Sequence, residues 1–129
     1  MTGNAGQQGA GLVQAAGWEM RCTSGRSNKF YRVVLAGPAV VINWGRIGTA
    51  GGLKVHRLAT ESAARDRALE LTSEKETRGY ELVREPATFP AAAAIVDRAH
   101  SGGGTQEHTE AARDLIAVFL QVSDSEGNE

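Results

Sequence analysis

Cysteine occurs once in the 129 residues, as Cys22, which excludes an intramolecular disulfide and a cysteine-based zinc site. Its alternation with Trp18 and Met20, and the lack of a neighbouring base, mark it as a buried thiol. No apolar run approaches the ~18 residues of a membrane span, so no membrane partner is expected. The opening residues 1–16 lack the basic start and apolar stretch of a secretory signal, and a cytoplasmic setting is the expectation. His56, His100 and His108 match no zinc or haem spacing, so neither metal nor cofactor is expected. There is no Gly-x-Ser-x-Gly, no nucleotide fingerprint and no pair of catalytic carboxylates. The early glycines Gly3, Gly6, Gly9 and Gly11 lead to no Gly-Lys-Ser/Thr. An enzyme is not expected.

Net charge is also nearly absent, at −1, but that figure hides an asymmetry. From Gly17 to Val83 eleven basic residues face seven acidic ones, giving +4, and from Arg84 onward three face eight, giving −5. Opposite signs in the two halves raise the case for nucleic-acid contact by the basic half, but charge alone still fits better the plainer reading of a solvated surface with an acidic tail.

The hydrophobic pattern divides the chain into a tail, a sheet with one helix, and an extension. Residues 1–16 carry almost no bulky apolar group and read as a flexible tail. Trp18 to Thr23, Lys29 to Leu35 and Ala39 to Trp44 alternate as strands. Turn chemistry at Ser24-Gly25-Arg26-Ser27-Asn28 and Ala36-Gly37-Pro38 makes neighbouring strands antiparallel. Leu53 to Leu58 is a fourth, weaker strand. Thr60 is placed to cap a helix carrying Ala64, Ala68, Leu71 and Lys75 on one stripe, and Gly79 to end it, with Tyr80 making the contact of that cap. Tyr80 to Val83 rejoins the sheet. The fold class is therefore α+β: a small antiparallel β-sheet with one helix across it, plus a C-terminal helical extension.

The boundaries expected are 1–16 for the tail, 17–84 for the domain and 85–129 for the extension. In the extension, Pro86 and Pro90 break the chain and Ala91 to Ala99 forms a short helix with Pro90 in its first turn. Ser101-Gly102-Gly103-Gly104 is a linker, and Thr105 caps a last helix with Ala112, Leu115, Ile116, Phe119 and Val122 along one face. That face has three possible destinations: the domain's own sheet, a second copy, or a partner protein docking through Leu115, Ile116 and Phe119. Ser123 to Glu129 reads as a frayed acidic end.

The most informative stretch is Asn43-Trp44-Gly45-Arg46-Ile47-Gly48-Thr49-Ala50-Gly51-Gly52, in which an indole and a guanidinium precede a glycine-rich turn. It resembles the signature of the WGR domain. Ser27-Asn28-Lys29-Phe30-Tyr31 upstream, and Glu74-Lys75 with Arg78-Gly79-Tyr80 downstream, resemble two further stretches of that family. The resemblance covers about Trp18 to Val83. In poly(ADP-ribose) polymerases the domain helps recognise DNA breaks, and its tryptophan packs on the terminal nucleotide. The resemblance therefore implies that Trp44 stacks on an exposed base or sugar of DNA, or alternatively RNA. The polymerases' transferase activity resides in a separate domain for which these residues leave no room.

Parity along the strand puts Trp44 on the same face as Val40 and Ile42, toward the core, unless a bulge at Gly45 re-aims it. Arg46 suits bidentate contact with a phosphate, and Lys54, Arg57, Asn28 and Lys29 extend a phosphate track. Each has a plainer reading, as a structural arginine or a solvated face. The function expected is a non-catalytic nucleic-acid-binding module that contacts DNA ends or nicks with little sequence specificity. The alternative is a protein-interaction or regulatory module using the same rim or the C-terminal helix.

Overall fold

The computed structural model describes residues 11–101 and 106–127. Five antiparallel strands form one sheet: β1 Leu12–Cys22, β2 Lys29–Ala36, β3 Ala39–Arg46, β4 Gly52–Arg57 and β5 Glu81–Ala92. Their order across the sheet is β4-β3-β2-β1-β5. Helix α1, Glu61–Thr77, lies on one face, and α2, Ala93–Ser101, with α3, Gln106–Gly127, covers the other. The α+β class and C-terminal helix read from the sequence are those of the molecule. Among the described residues, no helix is long and apolar enough to cross a membrane.

Strand alternation sends side chains to two distinct cores. Trp18, Met20, Tyr31, Val33, Val40 and Ile42 meet α1 at Ala64 and Ala68. The two alanines let the helix approach closely, and Trp18 is tied to it by a 2.9 Å hydrogen bond from its indole nitrogen to Thr72. Ala15, Val34, Val41, Phe89 and Ala91 face the other way, against Val96 of α2 and Leu115, Ile116 and Phe119 of α3. Phe119 packs closely on the sheet at Gly17, where an added Cβ would stand 2.6 Å from its ring.

Both ends of α1 follow the local code. The Thr60 hydroxyl accepts from Ala63 N at 3.0 Å. At the far end Gly79 takes φ +95°, its N–H donates to Glu76 O, and Tyr80 N–H donates to Lys75 O, both at 3.0 Å. This doubly bonded exit is a Schellman cap, and it sets Tyr80 beside Lys75.

Four expectations need correction. Residues 12–16, read as flexible, form the first half of β1, because Ala15 pairs with Ala36 on one side and Phe89 on the other. Small side chains give no local strand signal, so tertiary pairing decides the conformation there. Pro86 and Pro90 do not break the chain. They lie within β5, an edge strand, where a missing N–H need not disrupt the ladder. Helix α2 therefore starts at Ala93, after Pro90. Ser123 to Gly127 continues α3 instead of fraying.

Leu115, Ile116 and Phe119 are buried against the sheet, so they offer no surface to a partner protein. The rest of the expected tail, 1–10, the linker glycines with Thr105, and residues 128–129 lie outside the described residues.

Candidate functional site

Where β2 begins and β3 ends, Lys29, Phe30, Trp44, Gly45, Arg46, Lys75 and Tyr80 line an open cavity of about 340 Å³. Pairing brings the strand residues together: Lys29 stands opposite Arg46, and Tyr31 opposite Trp44. The register runs unbroken through Gly45, so no bulge re-aims the tryptophan. Trp44 keeps the face of Val40 and Ile42 yet is 43% exposed, because α1 lays its alanines over those two residues and presents only Lys75 at the level of the indole. The ring leans over Gly52 on β4, where a Cβ would come within 3.0 Å of Cζ2.

Three aromatic rings and three cations line the cavity, and the Tyr31 ring stands beside them. Tyr31 and Tyr80 meet edge to face at 6.3 Å, and the Lys75 ammonium sits 4.8 Å and 5.2 Å from their ring centroids. Burial pulls the Lys75 pKa below its ordinary value, aided by the charges of Arg78 and Lys29 and opposed by Glu74. Burial, then the charges of Glu74 and Tyr80, pushes the Tyr31 hydroxyl up to about 12. Among the described residues, none of Lys29, Arg46, Lys75 and Arg78 is engaged in an ion pair. The arrangement joins a flat apolar ring to a group of mutually repelling cations, a surface suited to a ligand that is both planar and anionic.

Behind the rim, residues 47–51 are pinned at several points. Ile47 N–H donates to Asn28 O at 2.9 Å, and both the amide and the hydroxyl of Thr49 donate to Arg46 O. The amide nitrogen of Asn43, a residue only 1% exposed, donates to Ala50 O and Gly52 O, each at 2.9 Å. Gly51, at φ +73°, packs against the Trp44 carbonyl and the Phe30 ring so tightly that a side chain has no room. On the opposite face, Arg32 donates to Asn43 Oδ1 at 2.8 Å and to Glu19 Oε1 at 3.0 Å.

Glu19 is fully buried among Arg21, Arg32 and Arg84. Burial pushes its carboxyl up, but hydrogen bonds from Arg21 and Arg32 and their charges outweigh that and hold the pKa below the usual carboxylate value. Arg84 extends the network to Ser123 and Asp124 at the end of α3.

Of the residues singled out from sequence, the structure brings Trp44, Arg46 and Lys29 together. Lys54 shares the face of Trp44, two pairs further along β4 and opposite Ile42, but does not line the cavity. Asn28 contributes its main-chain carbonyl, as the anchor for Ile47. Arg57 lies at the far end of β4, opposite Ala39, with its guanidinium on Ser101 O at 2.7 Å, so it is not part of this rim. Lys75 and Tyr80 complete the rim; the helix stripe and the glycine exit place both at the end of α1, but nothing in the sequence points them at Trp44. Arg32 and Glu19 carry no sequence signal, and Asn43, though it opens the most informative stretch, carries none of its buried role. Glu107, Glu110 and Asp114 gather around Arg98, away from the rim.

The WGR domain family matches residues 17–87, and the chain belongs to that family. WGR domains are nucleic-acid-binding modules in general. A crystal structure of a protein from Bacteroides fragilis is similar, with a TM-score of 0.51 and 27% identity over 52% of this chain. The match covers 19% of that protein, so this chain spans only about a fifth of its length. No curated protein matches the chain.

Proposed function

We propose that the protein is a non-catalytic nucleic-acid-binding module that contacts DNA ends or nicks through the rim of Trp44, Arg46, Lys29, Lys75 and Tyr80. One observation carries the reading: an exposed indole stands on the same cavity as three cations that pair with no carboxylate among the described residues. A base or sugar at a strand end has an unstacked face to lay on Trp44, whereas a base inside a duplex does not. Stacking of this kind contributes about 1–3 kcal/mol per base and is indifferent to sequence. Phosphate oxygens relieve the repulsion among Lys29, Lys75 and Arg78, and Arg46 offers a planar fork to the next phosphate. Three phosphate contacts give log K a slope of about −2 to −3 against log salt.

A titration followed by ¹H–¹⁵N correlation spectra tests this, because the chain holds one tryptophan in the rim and one, Trp18, buried under α1. Added blunt or nicked duplex shifts the Trp44 indole resonance and the amides of residues 28–30, 44–46 and 75–80, while the Trp18 indole stays in place. Shifts confined to other surfaces, or none at low salt, contradict the proposal and direct attention to a protein ligand for the rim.

A further inference from the structure

We infer that Asn43 is the positioning residue of the rim: it touches no ligand but presets the glycine loop on which Trp44 rests. The inference rests on the nucleic-acid reading only for its consequence in affinity; its structural content stands apart from that reading.

The argument begins with the inventory of an amide. Asn43 offers one acceptor oxygen and two N–H donors, and its orientation is a choice between them. A guanidinium has donors only, so Arg32 Nη1 at 2.8 Å selects the oxygen and turns the NH2 group toward the loop. Both amide hydrogens are then used on the carbonyls of Ala50 and Gly52. Arg32 itself cannot swing away. Its Nε is bonded to Glu19, and its guanidinium lies 4.0 Å over the Phe30 ring. The buried charge of Glu19 thus decides, through two hydrogen bonds, which way Asn43 faces.

The loop residues held in this way are the ones that meet the tryptophan. Gly52 lies under the indole, Gly51 is lodged between the Trp44 carbonyl and Phe30, and Ala50 precedes them. A loop of small residues with three glycines has many conformations open to it, and ordering it on ligand binding would cost entropy. Asn43 settles that ordering during folding. Trp44 and Arg46 therefore meet a ligand in a fixed relation, which favours tight contact by a small surface.

Asn43→Asp separates positioning from packing. Aspartate has nearly the same shape and strengthens the contact to Arg32, but its second oxygen faces two carbonyls and repels them. Native-state hydrogen exchange of the loop amides should quicken about tenfold, against unchanged protection at Val41 in the middle of β3. Acrylamide should quench Trp44 more strongly, and affinity for nicked DNA should fall by a similar factor. Asn43→Ser, which keeps one donor and one acceptor, should lie between the parent and Asn43→Asp and rules out a general folding defect. If exchange at residues 47–51 and Trp44 quenching stay at parental values in both variants, the assignment is overturned. If the parent protein binds no nucleic acid, the proposed function falls while the exchange and quenching data still judge Asn43.

Discussion

The two faces of the sheet are covered in unlike ways. On one, α1 contributes two buried alanines and little else, and the sheet supplies the bulk through Trp18, Met20, Tyr31 and Ile42. On the other, α3 brings Leu115, Ile116 and Phe119 onto Val34, Val41 and Phe89. The thin cover leaves Trp44 in the open at the end of its face, and the thick cover leaves no exposed ring on the other. The thick cover is made by residues beyond the 17–87 family match, and the rim by residues within it. If the proposed function holds, binding belongs to the thinly covered face and much of the buried apolar packing to the other, so changes on the two should separate in stability and affinity measurements.

Phe119→Ala should test the separation most severely. Removing a fully buried ring that lies on Gly17 should cost about 3–5 kcal/mol in urea unfolding. Binding by the fraction that remains folded should be unchanged.

Glu19→Gln should cost about 3 kcal/mol, because three guanidiniums lose the carboxylate they surround. It should also loosen the rim, because Glu19 joins Arg32, which holds Asn43, to Arg84, which reaches α3. The same group sets an acid limit. Its carboxyl pKa is lowered by folding, so its stabilisation is present above the unfolded-chain value of about 4.3 and is lost as pH falls through the folded value. The urea midpoint of the parent should therefore drop on acidification below about pH 4 more steeply than that of Glu19→Gln.

Lys75→Gln is the mildest test. It should leave the Schellman cap and the fold in place, weaken DNA binding a few-fold, and make the salt dependence shallower by about one unit. Equal salt slopes for parent and variant would remove Lys75 from the phosphate path.

The legible parts of this fold were those with local causes. Alternation marked β2 and β3, Thr60 and Gly79 marked the two ends of α1, and the Trp-Gly-Arg turn marked the rim. The parts that were not legible depend on pairing at a distance. The start of β1 is held as a strand by Ala36 and Phe89, and β5 tolerates two prolines because, among the described residues, no strand pairs beyond it. Three destinations stood open for the α3 face, and only the sheet's other surface, invisible to periodicity, decides among them. Asn43 and Glu19 were silent for a similar reason. A buried polar side chain is recognisable only once its partners, here from strands far apart in sequence, are seen around it.

The most direct measurement is the anisotropy of labelled blunt, nicked and single-stranded DNA, titrated with the parent protein and Trp44→Ala at two salt concentrations. Trp44 is exposed, so the variant should unfold with the parent. The account predicts salt-sensitive binding that favours ends and nicks and falls about tenfold, or ~1.4 kcal/mol, without the indole. Binding by the variant equal to that of the parent, or no binding by either at low salt, would contradict it.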